Sequence, residues 1–259
     1  MSKLYFPTSR DFPASPARKI LDGLLNLIYP ETCFVCGVPV ARQQDCGLCN
    51  GCWDRVIALK IEPPRCSSCG LPFYNFDEHS EHLCSDCIQQ IPPYSGARSF
   101  GHYTAELSQV VQQLKFYGRK NLAGLLAPLL AGVFFDSWSR NDFDFIAPIP
   151  LHSRRKRERG FNQSELLSLS LSRQIGVPFR KALLRVRSTL PQVGLTNAQR
   201  LENVRNAFRC VRPQRISKQR ILLIDDVMTT GATVASAART LMDAGARRVS
   251  VLTVARAGK

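Results

Sequence analysis

"ILLIDDVMTTGAT", residues 221–233, decides the fold. Ile221 to Ile224 form an unbroken apolar run of the kind buried on both faces of a parallel sheet. Two carboxylates, Asp225 and Asp226, then stand side by side and are followed at once by Thr229, Thr230, Gly231, Ala232 and Thr233. The stretch reads as a strand ending at the ligand edge of a sheet, then a small polar turn into the amino end of a helix. There, free backbone N–H groups and the helix dipole favour a phosphate, Gly231 allows close backbone approach, and the threonine hydroxyls add donors. Acids are poor phosphate ligands, so their position calls for a polyol beside the phosphate. A ribose 5-phosphate meets both demands, its phosphate in the turn and its vicinal hydroxyls on the acid pair. The pair also suits a hard cation such as Mg2+, directly or through water.

Outward from this stretch, strand and helix patterns alternate. "RSFGHY" (98–103) reads as a strand, and Leu107, Val110, Val111 and Leu114 then fall on one face of a helix that Gly118 ends. A second helix starts near Asn121. "FDFIAPIP" (143–150) is an apolar strand running into the basic loop "LHSRRKRERGFNQ", and "SELLSLSLSRQIG" is a helix stopped by Gly176. "VPFRKALLRV" returns as a strand and "TNAQRLENVRNAF" suits a short helix or mobile segment. "GATVASAARTLMDAGA" is a helix closed by Gly245, and "RRVSVLTVAR" is the last strand. Alternation of this kind predicts an α/β fold, a Rossmann-like parallel sheet with helices on both faces and ligands at the carboxyl ends of its strands.

Charge is distributed as such a site requires. The net charge is +15, yet residues 1–96 hold 8 Lys+Arg against 10 Asp+Glu. Residues 151–220 alone hold 17 basic side chains against 3 acidic ones, a field that draws phosphates of a nucleotide, a phosphosugar or a nucleic-acid backbone. The longest apolar run, Leu125 to Phe135, has eleven residues and contains Pro128 and Gly132, short of the ~18 a membrane span needs. Arg18 and Lys19 precede "ILDGLLNLIYP", but Asp22 and Asn26 interrupt that segment, so residues 1–30 read as an extension with a short amphipathic helix. A cytoplasmic protein is expected.

Eight of the ten cysteines form C-x2-C pairs: Cys33/Cys36, Cys49/Cys52, Cys66/Cys69 and Cys84/Cys87. This is zinc-ribbon spacing, in which two thiolate turns close a tetrahedral site. Consecutive sites (33/36/49/52 and 66/69/84/87) close shorter loops than interleaved ones. Cys46-x2-Cys49 offers an alternative register, and His82 is a competing ligand. Four thiolates leave no open position, so two structural Zn2+ ions are expected in a ribbon domain over 31–93. "IPPYSG" (91–96) reads as a linker to a sheet domain over 97–259, so chelation is expected to unfold the amino-terminal third and spare the sheet. Cys210 reads as a buried strand thiol.

Two rival readings of "ILLIDD" fall away. A Walker B strand needs a G-x-x-x-x-G-K-[ST] loop, which the chain lacks, and a receiver-domain acid pair lies near an amino terminus. The D-D-x-x-T-T-G-x-T pattern instead resembles the phosphoribosyl pyrophosphate signature of type I phosphoribosyltransferases. Together with the cysteine pairs, "LKFYGRKNLA" (114–123), "PIPLHSRRKRERGFNQSELL" (148–167) and the spacing of Thr189, Gln192, Arg200, Asn203 and Phe208, it resembles the ComF family, which includes the GntX proteins. The resemblance covers roughly residues 30–256.

That resemblance implies a type I phosphoribosyltransferase-like fold, binding of phosphoribosyl pyrophosphate with Mg2+, and a role in competence or the use of imported DNA. Single-stranded DNA and competence-machinery proteins become candidate partners. The reading leans towards an enzyme, a pentosyltransferase in which Asp225 and Asp226 favour the cation developing on the ribose. Thr229, Thr230, Gly231, Ala232 and Thr233 would hold the 5-phosphate, and His152, Arg154 and Arg159 the pyrophosphate. Residues 187–206 are polar, carry Pro191 and Gly194, and suit a lid bearing Thr189, Gln192, Arg200 and Asn203. Lys115, Tyr117 and Arg119 would help form a hood over the acceptor. The alternative is a non-catalytic module that binds single-stranded DNA on the basic block, the phosphosugar being regulatory.

Overall fold

The computed structural model describes residues 31–40, 46–73, 82–187 and 206–258. The chain divides into two compact units, Met1–Arg55 and Val56–Lys259. Helix α1 (Asn50–Ala58) starts in the first unit, which holds one cysteine ribbon. The second unit holds the other ribbon with its short helix α2 (Ser85–Gln89), followed by the sheet.

Four strands form that sheet, all parallel: β1 (Gly96–His102), β2 (Phe145–Pro148), β5 (Arg220–Met228) and β6 (Arg248–Arg256), in the order β1-β6-β5-β2. β5 is central because its residues are apolar on both sides, and Ile221 to Ile224 are fully buried. It pairs Ile221 with Phe145 on one side and with Val249 on the other. Two helices, α3 (Ala105–Phe116) and α4 (Leu122–Ser137), carry the chain from β1 to the far edge at β2. α4 is apolar nearly all round and contains Pro128; it is the predicted apolar run serving as a core helix. Among the described residues, no helix is long and apolar enough to cross a membrane.

After β2 the chain forms α5 (Ser153–Arg159) and α6 (Gln163–Ile175). The basic stretch expected as a loop is therefore largely helical. Arg, Lys and Glu are good helix formers, His152 caps the first turn by accepting from Arg154 N, and Gly160, at φ 79, ends the helix. "VPFRKALLRV" is a strand only at β3 (Leu183–Arg185), which pairs antiparallel with β4 (Phe208–Cys210) apart from the main sheet. α7 (Ala232–Asp243) follows β5.

α4 and α6 pack together and against the sheet. Ala97, Ala147, Leu223, Val249 and Val251, at alternating positions along their strands, share a second core cluster with Ala237, Ala238 and Leu241 of α7. Cys66, Cys69, Cys84 and Cys87 belong to that same cluster, with Tyr94 of "IPPYSG". Backbone hydrogen bonds tie the two parts: Ala97 N donates to Ser68 O at 2.7 Å, and Ser95 N to Val249 O at 2.8 Å. The second ribbon thus covers part of the sheet, a task usually given to a helix. This shared core reverses the expectation that chelation spares the sheet. Cys87→Ser should lower the melting temperature of the sheet by about 5–15 °C, the effect of losing roughly 3–5 kcal/mol in a domain of this size. Far-ultraviolet circular dichroism reads it; zinc loss with no change in sheet melting would mean the two parts fold independently.

Candidate functional site

Adjacent strands β2 and β5 send their following helices to different sides of the sheet, and the crevice this opens is the site. Residues leaving β2 line one wall and residues leaving β5 the other, around a cleft of about 210 Å3. At its floor Asp225 and Asp226 are buried, 8% and 3% exposed. Asp225 Oδ1 accepts from Ser164 Oγ at 2.8 Å and from Asp226 N at 2.9 Å. Ser164 stands there because Asn162 caps α6 by accepting from Ser164 N and donates to Ile149 O at 3.0 Å, aiming the helix start at β5.

Two adjacent buried carboxylates repel each other and lack solvent. Burial, then the Asp226 charge, push the Asp225 carboxyl up to about 7, against the opposing pull of Lys115 and the Ser164 hydrogen bond. Lys115, at the end of α3, sets Nζ 2.7 Å from Asp226 Oδ1. Burial works against its charge, but Asp226 outweighs that and raises its proton affinity. Asp226 Oδ2 is buried without a hydrogen-bond partner among the described residues. Arg155, Arg159 and Arg185 add positive charge to the cleft, and Arg159 donates to Gln163 Oε1. Burial lowers the proton affinity of the Arg159 and Arg185 guanidiniums, offset in part by Asp225 and, for Arg159, by Asp226.

Thr233 lines this cleft, whereas Thr230, Gly231 and Ala232 line a larger cleft of about 730 Å3 within the second unit, beside Tyr94 and α2. Thr229 is exposed. Gly231 caps α7 at φ +82, a left-handed backbone that calls for glycine; a Cβ there would also press on the end of the Met228 side chain, at 2.9 Å from Cε. The cap has no side chain, and Ala232 N donates to Thr230 Oγ1 at 3.4 Å.

The structure brings together Asp225, Asp226, Thr233 and Arg159 of the predicted residues. It does not bring His152 or Arg154 into the cleft lining: His152 caps α5, and Arg154 is exposed and paired with Glu158 at 2.9 Å. Thr189, Gln192, Arg200 and Asn203 lie outside the described residues. Sequence reasoning passed over Ser164 and Arg185. Lys115 was weighed only for a hood, yet it is the partner of Asp226.

The eight paired thiols fall into two groups, Cys33/Cys36/Cys49/Cys52 and Cys66/Cys69/Cys84/Cys87, each with its sulfurs within 4.8 Å of one another. Cys46 and His82 stand outside both. Sulfur pairs at 3.6 Å match the edges, about 3.8 Å, of a tetrahedron with metal–sulfur bonds of about 2.3 Å. Backbone N–H groups of Cys49 and Cys84 point at the sulfurs of Cys33 and Cys66, at 3.5 and 3.3 Å. Against burial, such donors hold Cys33 at about 6 and Cys66 at about 7, while burial pushes Cys69 up to about 11. Four thiolates at this spacing need a cation between them, and an all-sulfur closed set fits structural zinc. Each group also has an arginine beside it: Arg55 Nη2 is 2.9 Å from Cys52 Sγ, and Arg256 Nη2 is 3.7 Å from Cys69 Sγ.

A parallel sheet with an acid pair and a Thr-Thr-Gly turn at its carboxyl edge, in a chain that also carries two four-cysteine groups, defines an α/β protein of the double-ribbon class. The sequence matches the model of the Double zinc ribbon domain over residues 24–88. It is 36% identical over 229 residues to the DNA utilization protein YhgH of Salmonella typhimurium, spanning 87% of this chain and 96% of that one. It is 32% identical over 216 residues to Competence protein F of Haemophilus influenzae, spanning 82% and 91% of the two chains. With Competence protein ComFC of Bacillus subtilis the identity is 28% over 81% of this chain and 84% of the relative. The chain belongs to the ComF family. Among solved structures, it overlaps the B. subtilis glutamine phosphoribosylpyrophosphate amidotransferase complexed with ADP and GMP over 55% of its length, spanning 30% of that enzyme, at 18% identity and a TM-score of 0.39.

The raised Asp225 carboxyl has a definite sign in stability. Unfolded, the group ionises near 3.8; folded, it holds its proton to about 7. Its contribution favours the folded state below pH 3.8 and is lost as pH rises to about 7. Asp225→Asn should therefore melt at a higher temperature than the parent protein at pH 8, with the gap closing towards pH 4. The ribbons are common to both proteins and cancel in the difference. Thermal denaturation across this pH range reads it, and a gap independent of pH would mean the carboxyl is not held protonated.

Proposed function

We propose that the cleft binds phosphoribosyl pyrophosphate with Mg2+ and that the protein transfers the phosphoribosyl group to a base during the handling of DNA. The observation that carries this is the Asp225–Asp226 pair, buried just before the Thr-Thr-Gly turn and sharing one cleft with Arg155, Arg159 and Arg185. The orphaned Asp226 Oδ2 is an acceptor that a sugar hydroxyl or a hydrated cation satisfies. Mg2+, when bound with the substrate, supplies charge neutralisation at the pyrophosphate. In this reading Thr229 to Thr233 and the first turn of α7 hold the 5-phosphate. The carboxylates orient the ribose and stabilise positive charge on it as the bond from C1 to pyrophosphate breaks. Arg159 and Arg185 stabilise the departing pyrophosphate, and the base forms the new bond to C1. Lys115 keeps the carboxylate pair folded in the absence of ligand.

The DNA side of the proposal is supported by the relatives, whose names refer to competence and DNA utilization. A second reading has its own support in the 17 basic residues of 151–220. In it, that surface holds single-stranded DNA, and the phosphosugar is a regulatory ligand.

Calorimetric titration separates the two. The parent protein should bind phosphoribosyl pyrophosphate only with Mg2+ present, and the double change Asp225→Asn with Asp226→Asn should remove that binding. Affinity for a single-stranded oligonucleotide should stay the same or rise, because negative charge is lost. Loss of both affinities in a folded variant contradicts separate sites. Pyrophosphate release on adding nucleobases tests turnover.

A further inference from the structure

Resting on that reading of the cleft, we propose that Phe116 is the platform on which a planar nitrogenous base stacks at the mouth of the Asp225–Asp226 site. A cleft of about 210 Å3 lies below the ~300–1,000 Å3 typical of small-molecule pockets. Volume on that scale suits the ribose beside the acid pair, the 5-phosphate lying in the turn that lines the larger cleft, and leaves no walled space for a base as well. The base must therefore lie at the open rim, and a rim site needs a surface that rewards a flat ring.

Phe116 supplies it. α3 ends at Phe116, Tyr117 follows as its cap, and Gly118 at φ +69 turns the chain away, so the ring projects from a helix end. Phe116 is 68% exposed and lines the cleft. No other exposed large apolar side chain among the described residues lines it. A phenylalanine this exposed buries little apolar surface for the fold. Arg159 lies over the ring, its guanidinium carbon 5.1 Å from the centroid, and also feels the charge of both carboxylates. Arg159 thus lies on the ring and lines the same cleft as the acid pair, and Lys115, the residue before Phe116, is the ion-pair partner of Asp226. A base on Phe116 sits next to the sugar without entering the cleft.

The same chemistry arises from a free nucleobase or from a base within single-stranded DNA, and the experiment distinguishes them. Phe116→Trp places a fluorophore on the platform; the unaltered protein, with Trp53 and Trp138, supplies the background. Adenine, guanine and uracil, each with phosphoribosyl pyrophosphate and Mg2+, form one arm, and a short oligodeoxynucleotide with abasic sites as its control forms the other. Saturable quenching in the first arm identifies a free base, and quenching only by the base-bearing oligonucleotide identifies a strand. No quenching in either arm overturns the proposal. Phe116→Ala should weaken base affinity about ten- to a hundredfold, the loss expected of one stacked base, with Phe116→Tyr restoring it. Tyr117→Ala, equally exposed but outside the cleft lining, should have no such effect. Undiminished base affinity in Phe116→Ala overturns the platform. Phosphoribosyl pyrophosphate affinity, measured separately on the unaltered protein, reports on the cleft reading itself, so the two failures are distinguishable.

Discussion

Two carboxylates at the end of a central strand must be kept out of water with a single ammonium paired to one of them, and much of the molecule is arranged around that constraint. Asp225 takes a hydroxyl from the start of α6 and Asp226 takes an ammonium from the end of α3. These two helices come from different connections, so the acid pair is where separate parts of the chain agree on position. Neither contact neutralises the pair fully: one lysine faces two carboxylates, and Asp225 holds a proton to near neutrality as a result. A site charged in this way is stable when empty only because it is half-titrated, and it gains most when a polyol and a cation arrive together.

The ribbons solve a different problem. A four-stranded sheet needs both faces covered, and Cys66, Cys69, Cys84 and Cys87 are buried in the cluster that includes Ala97, Val249 and Val251. A stretch this short contributes few apolar side chains, so metal–thiolate bonds take the place of a helix's hydrophobic stripe. The other ribbon repeats the thiolate arrangement within the first unit, with its own arginine at Cys52.

Much of the sheet was legible in the sequence, because buried parallel strands are written as apolar runs and their helices as periodic ones with glycine stops. β5, β6 and α7 fall where "RILLIDDV", "RRVSVLTVAR" and "GATVASAARTLMDAGA" place them. The basic stretch after β2 was misread because its charges drew attention to anions, while the same residues are strong helix formers between a His152 cap and Gly160. Of the site, the acids, Thr233 and Arg159 were readable as neighbours of a known pattern. Ser164 was not, since a serine just inside a helix start reads as ordinary polar surface. Arg185 was not either, because its approach depends on the β3–β4 hairpin, whose pairing no local pattern encodes. Zinc register was readable only in the structure, where the sulfurs of Cys33, Cys36, Cys49 and Cys52 gather within 4.8 Å and leave Cys46 outside.

Arg256 carries one consequence beyond its own contact. Its guanidinium is 5% exposed, and Nε and Nη1 have no hydrogen-bond partner among the described residues, leaving the Cys69 sulfur as its counter-charge. Losing one ligand cysteine would strand a buried cation, and losing the arginine would leave an anionic cluster unbalanced. Neither Cys69 nor Arg256 can therefore be exchanged alone without leaving an uncompensated charge in the core; the two have to be replaced together, with an apolar patch in their place.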